Sequence, residues 1–251
     1  MILAALNAFG AVRIPSVLSD GMVLQRNRPI TVWGWAESGE SFEVAWNGNL
    51  YTVTAETDGT WQFELPAMPA GGPHVMKIGD IELSDILIGD VFLCSGQSNM
   101  ELPVRRVTDM FAEEIAEYEN DLIRHFAVPQ TFDFNKECDD TPAASWKPCT
   151  QENVMDFSAL AYFFAKDLYK KTGVPVGLVN ASWGGTPVEA WMSENALQPF
   201  PKYINEKNIY EDEGYLQRIK QLEGEEFYRW NTALDQGDPG LTGDIKWYSP
   251  D

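Results

Sequence analysis

The chain has 251 residues, of which 44% are hydrophobic, so it can bury a sizeable core, and its length suggests two domains of modest size. Its 38 acidic against 18 basic residues give a formal net charge of −20, a surface that repels nucleic-acid phosphates and anionic lipid alike. No apolar run approaches the roughly 20 residues that a membrane-spanning helix needs, so membrane insertion is not expected.

The opening residues, "MILAALNAFGAV", are apolar and rich in small side chains. They resemble the end of a secretory signal, although no basic segment precedes them; the plainer reading is an apolar start that packs on the first domain. A secreted protein, periplasmic or extracellular, is the expectation.

Residues 14–86 read as a run of short strands. "ITVWGWA" (30–36) is apolar and aromatic, and "FEVAW" (42–46) and "LYTVTAE" (50–56) alternate on either side of Asn47-Gly48, a hairpin turn pair. Asp58-Gly59 marks a second turn before "TWQFELP" (60–66), and "HVMKIG" (74–79) and "IELSDILIG" (81–89) complete the set. Closely spaced strands without a helical period predict a small antiparallel β-sandwich.

The pattern changes after Gly89. "VFLCSG" (91–96) is a continuous apolar strand of the kind buried in a parallel sheet, "VTDMFAEEIAEYEN" (107–120) is helical, and "IRHFAVP" (123–129) is a further strand. Phe157, Leu160, Ala161, Phe164 and Leu168 fall on one face of a helix over 156–172, stopped by Gly173. "VPVGLVNAS" (174–182) is the next buried strand. Strands alternating with helices over 87–202 predict an α/β domain with crossover helices. Residues 203–251 turn polar, with a helix over 215–234 and a strand beginning at "IKWYS".

The three cysteines do not form a metal-binding pattern, and no metal or other cofactor is expected. Cys138 and Cys149 flank a loop that a disulfide could close in an oxidising compartment, or are two unrelated thiols; Cys94 is a small buried residue.

Two turns carry the chemistry. In "LCSGQSNME" (93–101) a buried strand runs into Ser98, and Ser98-x-x-Glu101 is a capping-box pattern. Ser98 is either a helix cap or a nucleophile presented at the C-terminal edge of the sheet, where α/β folds bind ligands, and one residue can serve both ends. In "NASWGGTPVEAW" (180–191) the chain leaves a strand through Gly184-Gly185, with Thr186 as cap, Pro187 at the first helical position and Glu189 completing a second box. Paired glycines let a backbone N–H approach a ligand closely, and two such turns side by side suit the tetrahedral intermediate of an ester. A serine nucleophile also needs a base, and the only histidines are His74, within the predicted sandwich, and His125, on a predicted strand and better read as structural. Among the many aromatic residues, Trp183 and Trp191 lie beside the glycine turn, where a sugar ring could stack.

Three blocks, "LSDGMVLQR" (18–26), "GDVFLCSGQSNMELPV" (89–104) and "VGLVNASWGGTPVEAWMS" (176–193), together resemble the bacterial sialate O-acetylesterase family of SGNH-type serine esterases. The resemblance covers residues 14–200. It implies a β-sandwich followed by an α/β/α hydrolase domain, and removal of acetyl groups from sugars without a metal. Ser98 matches the family nucleophile, and the N–H groups of Ser98 and of Gly184 or Gly185 match part of its oxyanion hole. Gln97, Trp183 and Glu189 are the expected substrate contacts.

Family members also carry a later Gly-x-x-Asn block, which supplies an oxyanion-hole Asn, and an Asp-x-His-like block, which supplies the base. Neither occurs before Asp251. The expectation is therefore the N-terminal portion of a longer carbohydrate O-acetylesterase, incomplete at its C-terminus and with little or no activity by itself, with "GDIKWYSPD" opening a β-rich insert. A sugar-binding protein on a disabled esterase scaffold is the alternative, and a purely structural sandwich that docks the hydrolase is a third.

Overall fold

The structure is a computed structural model that describes residues 12–238. Residues 12–131 and 138–186 form one compact unit, and residues 132–137 and 187–238 form a second. The apolar opening residues 1–11 and the expected strand at "IKWYS" lie outside the described residues.

The first strands are β1 (Val23–Gln25), β2 (Ile30–Trp35), β3 (Ser41–Trp46), β4 (Asn49–Thr54), β5 (Thr60–Leu65) and β6 (Gly71–Ile78), with inward and outward side chains alternating most clearly in β2 and β3. Asn47 and Gly48 form the β3–β4 hairpin tip, with φ of 48° and 79° and Trp46 facing Asn49 across the turn. Two successive positive φ values give the twist that a two-residue hairpin loop requires. β2 and β5 pair as a separate two-stranded sheet, and its Val32, Trp61 and Leu65 share one apolar core with Phe42, Val44, Met76 and Ile86 of the larger sheet.

The expected break at Gly89 does not occur. β7 runs without interruption from Ile81 to Gly96 and changes partners at the glycine. Before Gly89 it pairs antiparallel with β6 and parallel with β1; beyond it, from Asp90, it pairs parallel with β10 (Val176–Ser182). A methyl group on Gly89 would overlap the Pro175 carbonyl, so the missing side chain lets the incoming strand dock there. With β8 (Asn120–Ala127) and β9 (Trp146–Cys149), the strands form one mixed sheet in the order β4-β3-β6-β7-β10-β8-β9, with β1 on β7.

The block "LSDGMVLQR" pins this arrangement. Asp20 accepts hydrogen bonds from the Ser84 N–H and hydroxyl at 2.6 and 2.9 Å, Gln25 accepts from the Val91 N–H at 2.9 Å, and Arg26 grips Asp90 through two bonds of 2.8 and 3.0 Å. These contacts fix β7 on both sides of Gly89, and so fix where its C-terminal end presents Ser98.

α1 (Ser98–Glu101) and the kinked α2 (Thr108–Ala116) follow β7, and α3 (Ala159–Thr172) precedes β10. Ser158 caps α3, and Gly173, with φ of 66°, ends it. The buried face of α3 is rotated from the expected one: Ala161, Tyr162, Ala165 and Lys166 are buried, whereas Leu160 and Phe164 are 54% and 44% exposed. Lys166 explains the rotation, because its ammonium reaches the Glu114 carboxylate at 2.8 Å and lies over the Tyr118 ring, which lets a charged side chain pack inward.

All three cysteines are free. Cys149 is fully buried in the core beneath α3 while Cys138 is exposed, so the two are not bridged. The second unit contains α4 (Glu194–Leu197), α5 (Pro201–Tyr210) and α6 (Glu213–Gly237), the last capped by Asp212, and Phe134 packs on Tyr210 at 5.2 Å.

Candidate active site

Pairing between β7 and β10 brings the two turns together. Gly96 faces Ser182 at the end of the parallel ladder, and the Trp183 N–H donates to the Gly96 carbonyl at 3.0 Å. The Gln97 side-chain amide then donates to the Thr186 carbonyl at 2.7 Å. A methyl group on Gly184 would lie 3.4 Å from both Cα and Cβ of Ser98. Ser98 and the glycine turn are therefore neighbours at the C-terminal ends of adjacent parallel strands.

Ser98 is not the helix cap. Gln97 occupies that position, Ser98 is the first helical residue, and its exposed hydroxyl makes no hydrogen bond among the described residues. The capping box fails because Glu101 has another partner. Its Oε2 accepts the Gly184 N–H, and its Oε1 accepts the Gln130 side-chain amide at 2.7 Å. The same Gln130 nitrogen also donates to the Ser182 carbonyl at 3.2 Å.

The second box does not form either. Pro187 precedes a four-residue 3-10 turn, Val188–Trp191, that has no side-chain cap. The Thr186 hydroxyl donates backwards to the Trp183 carbonyl at 2.7 Å, closing the glycine turn instead of opening a helix. Gly185 supplies the left-handed residue of that turn, with φ of 81°.

Of the expected oxyanion donors, the Gly184 N–H is engaged by Glu101, while the N–H groups of Ser98 and Gly185 have no partner among the described residues. Of the expected substrate contacts, Gln97 is exposed and tied to Thr186, and Trp183 is half-buried beside Ser182. Glu189 is half-buried within the 3-10 turn of the second unit, and the expected stacking residue Trp191, at the end of that turn, is exposed at 45%.

The structure places both histidines back along the strands from the Ser98 turn, His74 facing Ile86 of β7. His125 is 3% exposed, stacks on Phe157 at 4.5 Å, and has an Nε2 without a partner among the described residues. It pairs with Leu178, which pairs with Phe92, four residues before Gly96 on β7. At about 3.3 Å per residue its position is roughly 13 Å short of the turn. Burial also lowers its pKa to about 4. His74 lies on β6, tilted against Trp46 at 5.3 Å. Among the described residues no group of three or more His, Cys, Asp or Glu converges as metal ligands.

Glu101 and Gln130 are the two site residues that sequence reasoning misses in their observed role. The capping-box pattern assigns Glu101 to its own helix. Gln130 stands just past the C-terminal end of β8, at the same edge of the sheet as Ser98, a position that could have singled it out.

Comparison with known proteins places the chain in a family. The model of the carbohydrate esterase family of sialic acid-specific acetylesterases matches residues 88–225, more than half of the chain. The human sialate O-acetylesterase is 33% identical over 211 residues, and the match covers 74% of this chain and 40% of that protein. The rat sialate O-acetylesterase is 32% identical over 209 residues, covering 74% and 38%. A carbohydrate acetylesterase from Xanthomonas citri superposes with a TM-score of 0.70 at 39% identity, covering 74% of this chain and 44% of that one. The mixed sheet with helices is thus an α/β hydrolase-like fold similar to that enzyme's. The chain spans about 40% of the length of the curated relatives it matches.

Proposed function

The chain belongs to the carbohydrate esterase family of sialic acid-specific acetylesterases, and we propose that it carries the nucleophile half of a secreted carbohydrate O-acetylesterase. The observation that carries this reading is the position of Ser98: an exposed hydroxyl, without a partner among the described residues, at the C-terminal end of a buried strand and beside a glycine turn.

In the proposed reaction the Ser98 Oγ attacks the acetyl carbonyl carbon while a base takes its proton. The carbonyl oxygen becomes an oxyanion that accepts from the backbone N–H groups of Ser98 and the glycine turn. Collapse breaks the ester C–O bond, the sugar hydroxyl leaves with the proton, and water then releases acetate from the acetyl-serine. His125 and His74 do not reach Ser98, so the base and a further oxyanion donor are assigned to the part of the relatives' length that this chain does not span. The 251-residue chain alone has little activity on this account. The two sheets about one core before Gly89 support reading residues 14–86 as a β-sandwich module ahead of the hydrolase portion, 87–202, with 203–251 leading into an insert.

Acetate release from an O-acetylated sialic acid and from an acetylated xylo-oligosaccharide tests the proposal. The samples are this chain, the protein extended to its relatives' length, and the extended protein with Ser98→Ala. Turnover in the extended protein alone is expected. Undiminished turnover in the Ser98→Ala protein removes Ser98 from the mechanism, and sugar binding without turnover in the extended protein identifies a disabled scaffold.

A further inference from the structure

Glu101 is a half-buried carboxylate whose two oxygens are spent on two different elements. Oε2 accepts the Gly184 N–H of the turn after β10, and Oε1 accepts Gln130, which follows β8 and also donates to the Ser182 carbonyl. Glu101 ends the short helix that Ser98 begins. One side chain thus joins the turn carrying Ser98, the turn carrying the paired glycines, and the end of a third strand. The contact leaves no room for a larger residue, since a methyl group on Gly184 would lie 2.5 Å from Oε2.

This contact decides which amide of the glycine turn is available. A backbone N–H has one hydrogen to give, and that of Gly184 is given to a carboxylate, a charge-assisted bond stronger than one to a neutral acceptor. An anionic intermediate seeking that amide would have to displace Glu101 and would meet its negative charge. The next amide, that of Gly185, has no partner among the described residues, and Gly185 is exposed.

We propose that Glu101 is a positioning residue for the esterase reaction: by holding the Gly184 N–H it sets the glycine turn against Ser98 and assigns the turn's oxyanion donor to Gly185. The proposal rests on Ser98 as nucleophile, but its first test does not need activity.

Amide hydrogen exchange at Gly184 and Gly185, followed by NMR on this chain, reads the tether directly. In the parent chain Gly184 is expected to be protected and Gly185 to exchange freely. Glu101→Ala is expected to speed Gly184 exchange at least about tenfold, the loss of one protecting hydrogen bond. Glu101→Gln, which keeps an oxygen at the same reach, retains part of the protection; Glu101→Asp, one methylene too short, does not. Free exchange of Gly184 in the parent chain overturns the proposal and requires no variant to fold.

The second test measures kcat and KM in the extended protein. A displaced donor costs on the order of 10- to 100-fold in kcat. That loss is expected for Glu101→Ala and Glu101→Asp, with KM nearly unchanged and partial rescue by Glu101→Gln. Parental kcat in Glu101→Ala overturns the positioning role. Activity surviving Ser98→Ala instead overturns the reading of Ser98, and the exchange result at Gly184 stands or falls separately.

Discussion

Gln97 and Thr186 stand 89 residues apart in the chain, and the Gln97 side-chain amide donates to the Thr186 carbonyl at 2.7 Å. The bond ties the residue before Ser98 to the residue after Gly185. It is solvent-exposed, so its net contribution to stability is small, about 0.5–1 kcal/mol. Its effect on geometry is larger, since it fixes two turns against each other. Gln97→Ala in the extended protein is expected to lower kcat about tenfold or more while shifting the melting temperature little. Gln97→Glu, which sets a carboxylate against a carbonyl, is expected to be worse. Steady-state kinetics beside a thermal melt separates the two effects.

The paired glycines differ in what they tolerate. Gly185 has a φ of 81° with open space around its Cβ position, so Gly185→Ala pays mainly the left-handed backbone penalty, about 1–2 kcal/mol. Gly184 has an ordinary φ but is crowded by Glu101 and Ser98. Gly184→Ala should therefore spare stability more than activity, because it pushes the two turns apart. Denaturant midpoints and kcat for both variants check this pairing.

His125 makes the fold sensitive to acid. Burial lowers its pKa from 6.5 to about 4, so the unfolded chain binds more protons than the folded one between those values. The contribution of the neutral ring is fully present above about pH 6.5 and is lost as pH falls toward 4, to a total of about 3 kcal/mol. His125→Leu, similar in volume and free of the unpaired Nε2, is expected to flatten the stability profile across that window. Urea unfolding at a series of pH values measures the slope.

The thiols should report their surroundings. Burial pushes the Cys149 pKa up to about 11 and raises that of Cys94, and both side chains are shielded, whereas Cys138 is exposed. Of the three cysteines, Cys138 alone should react quickly with a thiol reagent at neutral pH, and all three on unfolding. A fast count of zero in the unreduced protein would instead indicate a bridge to Cys138.

Much of this fold was readable from residue patterns, and the misreadings share a cause. The Asn47-Gly48 hairpin is local, so two residues with positive φ declare it. The join at Gly89 is not local: a glycine that ends a strand and one that lets another strand dock look alike until Pro175 is placed beside it. The α3 face was misread because Lys166 counts as polar in sequence, yet is buried by a carboxylate and a ring supplied by α2 and the residues after it. The meeting of the Ser98 turn and the glycine turn was readable because both follow buried strands. The role of Glu101 was not, because a capping box needs only Ser98 to be satisfied, whereas the observed bond needs Gly184, 83 residues away.

The most direct test of the central claim is to look for the acetyl group itself. The extended protein is mixed with an O-acetylated sugar, quenched in acid within one turnover, digested, and examined by mass spectrometry. The account predicts one added acetyl group on the peptide containing Ser98, and none in the Ser98→Ala protein. An acetyl group on a different residue, or turnover undiminished by Ser98→Ala, would contradict it.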